Sequence, residues 1–156
     1  MFEKISDPRD VRIVEGHIPL QHRYTPGVAG EAFFRSLKDG VFVASPCDDC
    51  GVTYCPPRLF CERCFEGLET GLRVGPRGTL ESFTIGYEGV EGEPLDEPYV
   101  LGLVRLDGAD TVLVAYLLGY DEVPLGIGDR VEAVFAPKNQ RTGSILDLRG
   151  FKPTEK

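Results

Sequence analysis

The chain has 156 residues, 42% hydrophobic, 27% charged and 10% aromatic, enough to bury roughly 70% of its extended-chain surface around one or two small cores. No stretch approaches the ~20 uninterrupted apolar residues of a membrane span. Met1 to Asp7 lacks the basic patch and apolar run of a secretory signal, so a cytoplasmic address is expected. Asp and Glu number 25 against 17 Lys and Arg, a net charge of −8; such a surface repels phosphate backbones and sets general nucleic-acid binding at a disadvantage.

Composition divides the sequence into an arm and helix (1–40), a cysteine-bearing segment (41–74) and a β-rich remainder (75–156). The 19 glycines and 12 prolines are spread along the chain, which indicates many turns and short strands rather than a helical bundle. Residues 1–24 mix charges with isolated apolar residues and sustain neither a helical nor a strand period, so an extended arm is expected. Its His17 and His22 read as surface or interface residues. Val28 to Asp39 follows, with Ala29, Phe33 and Leu37 recurring every fourth residue and Lys38 suiting the end of a helix that Gly40 stops. The adjacent Phe33 and Phe34 cannot both lie centrally on one narrow stripe, which leaves part of an aromatic face for a partner.

Beyond the cysteines the period changes to two. Thr79 to Tyr87 alternates with Phe83, Ile85 and Tyr87 on one face. Tyr99 to Leu106 is a β-rich apolar run ending in the turn sequence Asp107-Gly108-Ala109-Asp110, and Thr111 to Leu118 returns from it. Arg130 to Ala136 directs Val131, Ala133 and Phe135 inward, and Ser144 to Phe151 supplies a last strand. The acidic stretch Glu88 to Pro98 reads as a solvated connection. Five strands in so short a segment suit a closed barrel of the OB type, because closure leaves few exposed edges; an SH3-like barrel or a sandwich fragment are the alternatives. The fold class is therefore mainly β.

All five cysteines lie between Cys47 and Cys64. Cys47-Asp48-Asp49-Cys50 and Cys61-Glu62-Arg63-Cys64 are two CxxC pairs, each able to bend around a metal, and two such knuckles at the ends of a hairpin complete the tetrahedron that zinc accepts from four thiolates. Gly51 after the first pair suits a position that often needs positive φ. Disulfides are disfavoured by the expected compartment, and a redox CxxC would need a thioredoxin-like βαβ context that is missing. Iron in a rubredoxin-like setting is the alternative metal. Four protein ligands leave no open position, so the metal is expected to be structural. Cys55, the odd thiol, fits neither knuckle and reads as a small packed hydrophobe.

Phe33-Phe34, the two knuckles, the intervening Tyr54-Cys55-Pro56-Pro57-Arg58, the barrel opening at Gly78 to Thr84, Gly128 to Phe135 and the closing Gly143 to Asp147 occur in an order that resembles a known family over about residues 24 to 153. Its members are acyl-CoA-associated proteins that join an N-terminal helix and a rubredoxin-like zinc ribbon to a C-terminal OB fold. The departure is Cys55, where an ordinary apolar residue is expected. The resemblance implies a non-catalytic partner of a thiolase-superfamily enzyme, with acyl-CoA near the shared interface. Arg58, Arg63, Arg73 and Arg77, near the ribbon and its junction with the barrel, are the candidates to meet a coenzyme A phosphate.

The residues agree that catalysis belongs to another chain. Acyl transfer needs a nucleophile with a base to activate it, yet both histidines lie in the arm, and no Gly-x-Ser-x-Gly elbow, phosphate loop or Rossmann fingerprint occurs. The competing reading is a single-stranded nucleic-acid binder, since ribbons and OB barrels often stack bases along a basic groove; the acidic knuckles and acidic barrel connection oppose it.

Overall fold

The computed structural model describes residues 25–89, 91–120 and 124–154. The arm of the sequence reading, with His17 and His22, lies outside them. Helix α1 spans Gly27–Asp39 and turns Ala29, Phe33, Ser36 and Leu37 inward. It ends at Gly40, whose φ of 74° is the left-handed conformation a helix C-terminus favours; the Gly40 and Val41 N–H groups donate back to Leu37 and Ser36. A side chain at Gly40 would be strained by that φ and would have to displace the Arg141 guanidinium, which occupies the space of a Cβ.

Strand β1 (Phe42–Cys47) is the centre of a three-stranded antiparallel sheet ordered β2-β1-β3. Its far half, Ser45 to Cys47, pairs with β2 (Val52–Tyr54). Its near half, Phe42 to Ala44, pairs with β3 (Leu72–Val74). One strand therefore joins two regions: the near half belongs to the main apolar core and the far half to a small separate cluster around the cysteines.

The remaining strands form a five-stranded sheet ordered β6-β5-β4-β7-β8, comprising β4 (Arg77–Glu88), β5 (Pro94–Leu106), β6 (Val112–Tyr116), β7 (Arg130–Phe135) and β8 (Leu148–Pro153). Leu117 makes a parallel bridge to Phe151, and Leu118 N–H donates to the Phe151 carbonyl at 2.7 Å, so the outer strands meet and the sheet closes. This is the OB-type barrel expected from the strand count.

Four details differ from the sequence reading. A bulge between Leu80 and Ser82 shifts the register of β4, so Gly78 and Leu80 point inward before it and Phe83 packs on the core after it. Ile85 and Tyr87 keep the alternation but are 39% and 64% exposed, because the β4–β5 hairpin runs past the end of the core. The acidic segment is only partly a connection, since β5 already begins at Pro94. The last strand begins at Leu148, not Ser144: Ser144 and Asp147 form a capping box that folds Ile145–Asp147 into a 3-10 turn.

The core is aromatic where helix, ribbon and barrel meet. The Phe42 ring lies 5.2 Å from Phe135, 6.1 Å from Phe151 and 6.3 Å from Phe33, centroid to centroid. Phe33 is thus an interior residue, 3% exposed, and Phe34 is half-buried against the same cluster. Of the aromatic face expected to be left in part for a partner, Phe33 is therefore taken up by the core, because the ribbon strand brings Phe42 up to meet it, and Phe34 keeps partial exposure.

Candidate metal centre

The first knuckle follows β1 directly and turns into β2, while the second is a compact loop closed by its own backbone. Cys61 N–H donates to the Glu66 carbonyl, Phe65 N–H to the Cys61 carbonyl, and Leu68 N–H to the Leu59 carbonyl. Together they bring the sulfurs of Cys47, Cys50, Cys61 and Cys64 within 4.8 Å of one another, with Cys47 and Cys64 at 3.5 Å. Sulfurs each about 2.3 Å from a tetrahedral ion stand about 3.8 Å apart. All four thiols are free. The donor set and its spacing fit one zinc, and Cys55 is outside the cluster.

Backbone N–H groups favour the charged form at two of the sulfurs, although Cys47 as a whole is held above its ordinary value, burial and its hydrogen bonds with Cys61 and Cys64 outweighing the backbone donor. The Cys50 N–H donates to the Cys47 sulfur, and the Cys64 and Arg63 N–H groups donate to Cys61. The buried Tyr54 hydroxyl adds a bond to Cys61 Sγ at 3.3 Å and is the main reason this thiol is lowered to about 6. Cys50 is pushed up to about 12, first by its hydrogen bond with Cys64 and then by burial. Metal binding therefore has to displace protons from the first knuckle more than from Cys61.

Tyr54 is itself held from above. The Arg58 guanidinium lies 4.8 Å from its ring centroid and pairs with Glu62, while Arg58 N–H donates to the buried Ser45 hydroxyl at 2.8 Å. Arg77 pairs with Glu132 at 3.7 Å. Among the described residues, Arg63 and Arg73 form no ion pair. Cys55 is 1% exposed in the main core, its Sγ directed at the Val43 carbonyl; burial pushes its thiol up to about 12.

Sequence reading missed the joint between ribbon and barrel. Asp110 Oδ2 accepts from Thr53 N–H at 2.8 Å, and Asp110 N–H donates back to the Thr53 carbonyl at 2.9 Å. Thr111 repeats the exchange with Cys55: its Oγ1 accepts from Cys55 N–H and donates to the Cys55 carbonyl, both at 2.8 Å. The β5–β6 turn thereby acts as an extra edge for β2. The turn itself was legible in Asp107 to Asp110; its partner, more than 50 residues away in sequence, was not.

Two family models match the chain, the ChsH2 rubredoxin-like zinc ribbon domain over residues 34–69 and the ChsH2 C-terminal OB-fold domain over residues 73–136. The chain belongs to this zinc-ribbon and OB-fold family. It is similar to a Sulfolobus solfataricus protein of unknown function from the DUF35 family, with 28% identity and a TM-score of 0.64 over 82% of this chain and 87% of that one. It also shares its fold with a chain of the Ltp2-ChsH2(DUF35) aldolase, with 23% identity and a TM-score of 0.56 over 78% of this chain and 91% of the other. No curated protein matches it. Among the described residues no helix is long and apolar enough to cross a membrane.

Proposed function

We propose that this chain is the non-catalytic zinc-ribbon and OB-fold subunit of an acyl-CoA-processing complex whose catalytic subunit has a thiolase fold and carries out thiolytic C–C cleavage or condensation. The observation that carries the reading is the use made of the five cysteines. Four converge on one metal site, and the fifth is a buried thiol pushed up to about 12, too weak an acid to serve as a nucleophile at neutral pH. The family supports it further, because a chain of this fold is found in the Ltp2-ChsH2(DUF35) aldolase.

In this reading the partner supplies nucleophile and acid–base groups, and the present chain completes or stabilises the substrate site. An apolar groove of about 290 Å³ on the barrel, lined in part by Leu101, Val114, Tyr116, Ile145 and Leu146, suits contact with an acyl chain or with the wall of the partner's cavity. Arg58, Arg63, Arg73 and Arg77 remain the candidate coenzyme A contacts. Arg63 and Arg73 are the pair to test first, since Arg58 and Arg77 already hold carboxylates. The same pairing weighs against single-stranded nucleic acid: Arg105 and Arg130 are also held, by Glu81 and Asp107, so these barrel cations are already neutralised where a phosphate backbone would need them.

The test is the isolated, zinc-loaded chain assayed against acyl-CoA thioesters for cleavage, hydrolysis and acyl transfer. No turnover is expected. Turnover that Cys55→Ser abolishes would make the chain an enzyme and refute the proposal.

A further inference from the structure

The residues after the two knuckles occupy equivalent places with nearly the same φ: 62° at Gly51 and 63° at Phe65. Glycine adopts this conformation freely, whereas an L side chain is disfavoured there by about tenfold or more. Phe65 is the one non-glycine residue at positive φ among those described, and an aromatic ring in that region is an outlier that calls for a reason.

The reason is not packing within the chain. Phe65 is 78% exposed, more than any other large apolar side chain described, and Phe60 and Leu59 on the same closed loop are 63% and 41% exposed. The bridge between Phe60 and Gly67 and the Cys61 and Leu68 backbone bonds fix this loop. Bound zinc would fix it further, so the apolar tip is rigid before it meets anything.

The surrounding charge decides what it meets. Glu62 and Glu66 stand close to Phe65 in the chain against Arg58 and Arg63, Asp48, Asp49, Glu66 and Glu69 line one groove beside the knuckles, Arg58 is neutralised by Glu62, and four thiolates on Zn²⁺ would add further negative charge. An anionic lipid surface or a nucleic acid is repelled by such a rim, and a second copy would bring acid against acid. The complement is a protein surface with an apolar pocket and a Lys- or Arg-rich edge.

We propose that Phe65, supported by Phe60 and Leu59, is the anchor by which the second knuckle docks into an apolar, basic-rimmed pocket on the catalytic subunit. The proposal rests on the subunit reading above and assigns its contact. An exposed aromatic seated in a partner's pocket has the character of an interface hot spot, and that contact is what offsets the backbone strain carried by the free chain.

The experiment measures affinity for the product of any thiolase-like gene neighbouring this chain's own, by titration calorimetry with the full zinc-loaded chain. Phe65→Gly and Phe65→Asn are expected to keep one zinc, to match or exceed the wild-type thermal midpoint because the strain is relieved, and to bind at least tenfold more weakly. Ile127→Ser, a change at an equally exposed apolar residue elsewhere, leaves affinity unchanged, and added salt weakens wild-type binding. Wild-type binding with both Phe65 variants within twofold of it overturns this proposal alone. Loss of zinc or a lowered midpoint in both variants makes Phe65 a structural residue and also overturns it. A dimer of the free chain that Phe65→Gly disperses assigns the tip to a second copy instead. No wild-type binding refutes the subunit reading and the anchor with it.

Discussion

The ribbon tip gathers a small apolar cluster of its own, Cys47, Val52, Tyr54, Cys61 and Leu68, and two of those are metal ligands; the barrel buries a far larger cluster and also draws in Phe33, Leu37, Phe42, Ala44 and Cys55 from helix and ribbon base. The tip has too little apolar surface to offset its chain entropy and depends on the ion, whereas the barrel depends on packing. The boundary runs through β1 itself, between Ala44 and Ser45. A single strand thus couples a metal-dependent element to a metal-independent one.

The sharpest way to break this comparison is to remove the ion. Cys47→Ser with Cys61→Ser should abolish stoichiometric zinc, and a site of this kind contributes on the order of 10 kcal/mol to folding of the segment it closes. Hydrogen exchange should then show lost protection at Val52 to Leu68 with protection retained at Val100 to Leu106. Collapse of both would show that the barrel also needs the metal. Cys55→Ser should leave zinc content at one equivalent.

The converse change is Phe42→Ala, which empties the point where Phe33, Phe135 and Phe151 converge. It should cost about 3–5 kcal/mol of global stability in denaturant titrations while zinc remains bound. Zinc loss in this variant would mean the near half of β1 also holds the knuckle.

Which of these features could be read from the sequence follows from how local their causes are. The ligand set was legible because CxxC spacing is a contiguous signal, and α1 was legible because Ala29, Phe33 and Leu37 repeat and Gly40 ends them. The Ser144–Asp147 capping box was present as a three-residue spacing, but it was overridden by the apolar Ile145-Leu146, which reads as strand. The joint of Asp110 and Thr111 with Thr53 and Cys55 had no local signal, since each partner looks like an ordinary turn or strand residue. Phe65 follows the second knuckle as Gly51 follows the first, but nothing in a phenylalanine signals the left-handed backbone it adopts there.

That joint gives the next prediction. Thr111→Val removes a hydroxyl that both accepts from and donates to Cys55, leaving an N–H and a carbonyl without partners at a cost of about 1–3 kcal/mol. The expected result is faster exchange at β2 with the barrel unchanged, which separates coupling from the stability of either region.

The smallest expected effect is a pH dependence confined to the barrel. Burial alone would raise Asp147, but N–H donors from Thr142, Gly143 and Ser144 and the charge of Arg141 outweigh it and hold the carboxyl below its ordinary value. A depressed carboxylate contributes stability that is full above the unfolded-state value, about 3.9, and is lost as pH falls through the lower folded value. Asp107, held down first by its hydrogen bond from Arg130, adds to the same limb. Barrel stability should therefore decline below about pH 4, and Asp147→Asn should flatten that decline while lowering stability at neutral pH. An acid limb unchanged in the variant would contradict the assignment.

The most direct test of the account is reconstitution: the product of any thiolase-like gene neighbouring this chain's own is purified alone, and its acyl-CoA turnover is followed as the zinc-loaded chain is added. The account predicts little activity at the start and a rise that saturates at one chain per catalytic subunit, with both proteins then eluting together. Full activity before any addition, with the two proteins migrating independently at micromolar concentration, would contradict it.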